Sequence, residues 1–71
     1  MAAVRMQSPL RLRREKTGLS QAEVAAASAV SLRSYQCYES LETMPNVISA
    51  IRIAFVLRST VEQIWGDLAR F

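Results

Sequence analysis

The chain is divided by closely spaced helix-start signals, and no segment between them carries the alternation of a strand. Ser8-Pro9 offers an N-cap followed by proline at the first helical position, and Gly18 offers a stop about two turns later. Ser20-Gln21-Ala22-Glu23 has the capping-box pattern, in which Ser20 caps and Glu23 reaches back to its backbone N–H. Ser31 starts a short helix through about Glu39, and Pro45-Asn46 precedes a fourth helix with Val47, Ala50, Ile53, Ala54 and Leu57 at helical spacing. Thr60-Val61-Glu62-Gln63 is a second capping box, opening a fifth helix through about Ala69 with Val61, Ile64 and Leu68 as its core stripe. Five short helices in one all-α domain is the expected architecture.

Length and composition narrow the chemistry. A chain of 71 residues buries roughly 60% of its unfolded surface, so it builds one modest core. There is no histidine and a single cysteine, Cys37, so neither an internal disulfide nor a paired-cysteine metal site can form. Most carboxylates fall at caps or in expected ion pairs, which leaves no general acid–base constellation. The sequence therefore indicates no enzyme, no metal, no cofactor and no small-molecule ligand. The longest apolar run, Ile48 to Leu57, is ten residues with Arg52 inside it, too short to span a bilayer. A cytoplasmic setting is expected.

Charge is unevenly distributed. Residues 1–35 hold six basic and two acidic groups, a net +4, whereas residues 36–71 hold three basic and four acidic, a net −1. Hydrophobic residues make up 51% of a chain with little interior, so some apolar surface must face a partner or a second copy. The basic half suits nucleic acid; the alternative is that its arginines solvate the first helix.

The second and third helices are separated only by Ser28-Ala29-Val30. Helices this short are unstable alone, so the pair must be fixed by tertiary packing. Two helices across such a turn form a helix-turn-helix, whose second helix can enter the DNA major groove.

The run Arg14-Glu15-Lys16-Thr17-Gly18-Leu19-Ser20-Gln21-Ala22-Glu23-Val24-Ala25 is followed by Ala29-Val30-Ser31, Tyr38-Glu39 and Pro45. Ile53-Ala54 and Thr60-Val61-Glu62-Gln63-Ile64-Trp65 complete the pattern. On these residues the stretch Leu10 to Leu68 resembles the lambda-type Cro/repressor helix-turn-helix family, also called the xenobiotic-response-element-like regulators. The resemblance implies a compact five-helix lambda-repressor-like domain over residues 8–71, with residues 1–7 as a flexible N-terminal arm. It also implies a homodimer on a short palindromic operator in double-stranded DNA.

The motif positions then acquire expected roles. Val24 and Val30 point into the core, and Ala25 lets two helices approach closely. Gln21 reaches a phosphate through backbone N–H and side chain. By resemblance Arg14 pairs with Glu39; the alternative for Arg14 is a solvated phosphate contact or no contact. The recognition helix 31–39 exposes Leu32, Arg33, Gln36 and Cys37, while Tyr35 and Tyr38 occupy positions that relatives fill with apolar core residues. Arg33 can read a guanine edge, Leu32 a thymine methyl and Gln36 a base or a phosphate. Ser31 and Ser34 suit phosphate oxygens, and Arg11, Arg13 and Lys16 serve as anchors, helped by Arg5. Cys37 is a poor base reader and reads as a small filler.

Three positions that are often glycine in relatives are Ala29, Leu41 and Arg58, so the turns there are expected to be rebuilt. Leu41-Glu42-Thr43-Met44 replaces a loop that is often basic in relatives, and its glutamate opposes DNA. Ile48, Ile51, Phe55 and Val56 cover the fourth helix outside its core stripe, and a dimer interface around Phe55, Trp65 and Phe71 is expected. The alternative is that these residues pack under residues 2–6. The leading functional expectation is a transcriptional repressor; the other is a protein-interaction adaptor or antirepressor on the same fold.

Overall fold

The computed structural model describes residues 8–69; the expected arm 1–7 and Phe71 lie outside them. The order is α1 (Pro9–Thr17), α2 (Gln21–Ala27), α3 (Leu32–Glu39), α4 (Val47–Val56) and α5 (Val61–Trp65), followed by a 3-10 turn (Gly66–Ala69). No strand occurs among the described residues.

The helix starts follow local chemistry. Ser20 Oγ accepts from the Glu23 backbone N–H at 3.0 Å, and Glu23 Oε1 accepts from the Ser20 N–H at 2.8 Å. Those bonds to Ser20 hold the Glu23 carboxyl below its ordinary value. Ser31, Asn46 and Thr60 each accept one N–H from the first turn of α3, α4 and α5. Two expectations change. Ser8 precedes Pro9 but makes no side-chain cap, and its buried hydroxyl lacks a partner among the described residues. The second box is half formed, because Gln63 Oε1 accepts from the Ser59 hydroxyl at 2.9 Å instead of reaching back to Thr60.

The turns are not rebuilt. Ala29, Leu41 and Arg58 keep positive φ, at 59°, 66° and 54°. Each sits just past a helix end, and the paired bonds of a Schellman motif recur at all three. After α2 these are Val30 N–H to Ala25 O at 3.0 Å and Ala29 N–H to Ala26 O at 3.2 Å. Glu42 to Cys37 with Leu41 to Tyr38, and Ser59 to Ala54 with Arg58 to Phe55, repeat the pattern. Satisfying otherwise orphaned carbonyls outweighs the left-handed cost of a non-glycine residue.

The core joins Leu10, Val24, Ala25, Tyr35, Ala50, Ile53, Ala54, Leu57, Ile64 and Trp65, with Val30 and Tyr38 packed at its edge. Three residues depart from expectation. Trp65 is buried in the core and does not protrude. It extends the Val61–Ile64 stripe at the i+4 position, so the short helix turns its indole inward. Val47 is 72% exposed, lying at the first turn of α4 beyond the reach of the core. Leu68 is 40% exposed and lies in the 3-10 turn that replaces the expected continuation of α5.

Candidate nucleic-acid interface

Helix α3 carries the candidate reading face. Leu32, Arg33 and Gln36 are exposed and Cys37 is half-buried, while Tyr35 and Glu39 are buried. This division follows from 100° per residue, which puts positions 32, 33, 36 and 37 on one side of the helix. Ser31 uses its oxygen to cap α3, which leaves the hydroxyl hydrogen free to donate outward. Ser34 is half-buried beside it.

Glu39, at the last turn of α3, ties this helix to the two helices before it. Arg14 of α1 donates from Nε to Oε2 at 2.8 Å and from Nη2 to Oε1 at 3.1 Å, a two-pronged pair. Its remaining nitrogen, Nη1, donates to the Leu19 carbonyl at 3.0 Å. Gln21 of α2 donates from Nε2 to Glu39 Oε1 at 3.0 Å, and its own Oε1 accepts from Gln36 Nε2 at 3.3 Å. Burial alone would push the Glu39 carboxyl up, but the bonds from Arg14 and Gln21 and the nearby Tyr35 hydroxyl overcome it and hold it below its ordinary value. The Tyr35 hydroxyl is pushed up by burial first and by the Glu39 carboxylate second. It is close to that carboxylate without hydrogen-bonding geometry, and no other partner reaches it among the described residues.

The structure therefore brings Arg14, Gln21, Gln36 and Glu39 into one lattice and changes the part assigned to Gln21. Its side chain is engaged at both ends within the protein, which leaves its backbone N–H and the second Nε2 hydrogen as donors. The Gln21–Gln36 link was not expected from sequence. A local signal existed, since Gln36 lies three residues before Glu39 on the same side of α3.

The α1 anchors are not brought together. Arg11 pairs with Glu15 at 3.1 Å on the surface, while Arg13 and Lys16 have no ion pair among the described residues. Arg11 and Arg13 are two positions apart on a helix, so they face nearly opposite directions and cannot grip one phosphate row. Past α3, the Ser40 hydroxyl lies 3.2 Å from Glu42 Oε1, and Leu41 and Met44 are exposed beside it.

An all-α domain with a short helix pair joined by a tight turn and an outward polar face is a helix-turn-helix module. The family model described as Helix-turn-helix matches residues 10–64 of the 71, and the chain belongs to this family, of the lambda-type Cro/repressor kind. It is a family of DNA-binding regulators, not normally enzymes. No curated protein matches the chain. No described helix is long and apolar enough to cross a membrane.

Proposed function

We propose that this chain is a sequence-specific transcriptional repressor that binds a palindromic operator as a homodimer, with α3 in the major groove. The observation that carries the reading is the lattice around Glu39. It fixes α3 against α1 and α2 and leaves Leu32 and Arg33 exposed on a preorganised face, with the exposed Gln36 steadied by its bond to Gln21. Arg33 is the main base reader, with Leu32 and Gln36 in support and Cys37 at the edge. Ser31, Ser34, the Gln21 N–H and a subset of Arg11, Arg13 and Lys16 meet phosphates. Two copies place two such helices in successive major grooves about 34 Å apart, and repression follows from occupying the promoter.

Selection from random-sequence DNA followed by titration against rising salt tests this. Arg33→Ala should lose preference at one base pair per half-site, by a factor of roughly 5 to 150, the equivalent of about 1–3 kcal/mol. Binding to unrelated DNA should fall much less, and affinity should decline as salt rises. Undetectable binding to every fragment at low salt would overturn the proposal and move the chain to a protein adaptor or antirepressor. The exposed Leu41 and Met44 beside Glu42 are the observation that favours that second reading.

A further inference from the structure

Two surface features remain unexplained by DNA binding: one runs along α4 and the other adjoins its first turn. The first is an apolar stripe on the outer side of α4: Val47 at 72% exposure, Ile48 at 59%, Ile51 at 52% and Phe55 at 83%. The second is an apolar groove of about 340 Å³ at the start of α4, lined by Met44, Pro45, Val47, Ala50, Val61, Trp65 and Leu68. The helix packs on α2 and α5 through its other side, so the stripe has no cover within the described chain.

Resting on the homodimer reading above, we infer that two copies of this chain pair α4 against α4 in antiparallel fashion about Ile51, and that Phe55 of each enters the other's groove. The spacing carries the argument. Val47 and Phe55 lie four residues before and after Ile51, so a two-fold axis at Ile51 sets Phe55 of one copy beside Val47 of the other. Val47 is also a wall of the groove. An inclined crossing of the kind that ridges-into-grooves packing produces carries the ring sideways into it. A dry cavity of about 150 Å³ holds benzene, so this groove has room for a phenyl ring. The contact is the same patch on both copies, as a two-fold interface requires.

The areas agree with a second copy as occupant. The stripe exposes on the order of 500 Å², near the largest patch that monomers usually show. That is more than half of the roughly 800 Å² per partner in a standard interface. The reading face stays free, because α3 packs on α1 and α2 and its outer side belongs to a different helix. The inference also replaces Trp65 in the expected interface: the indole forms the floor of the groove instead of a protruding contact.

Sedimentation and oxidative cross-linking of the full chain test the arrangement. The wild type should be dimeric at tens of micromolar. Phe55→Ala should raise the dimer dissociation constant roughly a hundredfold, since two ring insertions are lost at once, with the helical circular dichroism unchanged. In a Cys37→Ser background, Ile51→Cys should form an intermolecular disulfide. Two helices about 8–10 Å apart bring facing Cα atoms on the two-fold axis to about 5 Å, within bridging range. Phe55→Cys in the same background should not, because antiparallel pairing separates the two copies of that position by about 12 Å along the axis. A monomeric wild type overturns this inference and the homodimer reading together. A wild-type dimer that tolerates Phe55→Ala, or that bridges at Phe55→Cys and not at Ile51→Cys, overturns the α4 arrangement alone.

Discussion

Glu39→Ala should lower stability by about 3 kcal/mol, at the lower end of the range for breaking a buried pair because Arg14 keeps some contact with water. For a domain of this size that corresponds to a fall of roughly 12–24 °C in Tm, read by thermal circular dichroism. The size of the effect comes from what the carboxylate leaves behind. Without it Arg14 retains only the Leu19 carbonyl, and Gln21 loses the acceptor for its Nε2. Replacing both charges, as in Arg14→Met with Glu39→Leu, should recover much of the loss, since two apolar side chains leave no buried charge. A Tm within about 5 °C of wild type for Glu39→Ala would refute the assignment of this pair as the tie between α1 and α3.

The same pair makes the fold acid-sensitive in a defined window. The folded-state pKa of Glu39 lies below its ordinary value of 4.5, so the folded state binds this proton less readily than the unfolded chain. The stabilisation is complete above the ordinary carboxylate range and is lost as pH falls through the depressed folded value. Wild-type stability should therefore fall more steeply below about pH 4.5 than that of the Arg14→Met, Glu39→Leu double variant. Denaturant melts of both proteins across that range measure the difference, and parallel slopes would contradict it.

The second large effect should be a gain. Ala29→Gly, Leu41→Gly and Arg58→Gly together should stabilise the chain by about 2 kcal/mol, raising Tm by roughly 8–16 °C. Each position is left-handed, which costs a non-glycine residue about 1–2 kcal/mol, partly offset by the greater freedom glycine has in the unfolded chain. All three side chains are exposed, so little packing is sacrificed. Gly18→Ala is the converse control. Its φ is +78° and no atom lies within 4 Å of an added Cβ, so any loss there is torsional and not steric. A triple variant no more stable than wild type would mean that these turns are unstrained.

The local and long-range features of this chain were unequally legible. Ser20 with Glu23, Ser31 with Ser34 and Asn46 with Ser49 act over three residues, so side-chain type and spacing announce them. The left-handed turns are not legible locally, because the propensities of Ala29, Leu41 and Arg58 oppose them. The paired carbonyl bonds that decide the matter depend on a helix already being formed. Trp65 went inward because five residues of helix offer a narrow core side, and the largest apolar group fills it. For the site, the Arg14–Glu39 pair was implied by family resemblance, but the use of Gln21 was not. Its partners are 18 and 15 residues away, a distance at which only the assembled helices say which amide meets which carboxylate.

The Glu39 lattice also has a mechanical consequence. With one carboxylate held from α1 and α2 together, α3 cannot tilt or slide to suit a poorly matched site without breaking several charge-assisted bonds at once. On the DNA-binding proposal the protein is the stiff member of the pair, and misfit would be absorbed by the duplex. Operators should therefore differ in affinity at base pairs that no side chain touches, according to how readily those steps bend or twist, at a cost on the order of 1–6 kcal/mol for a bent site.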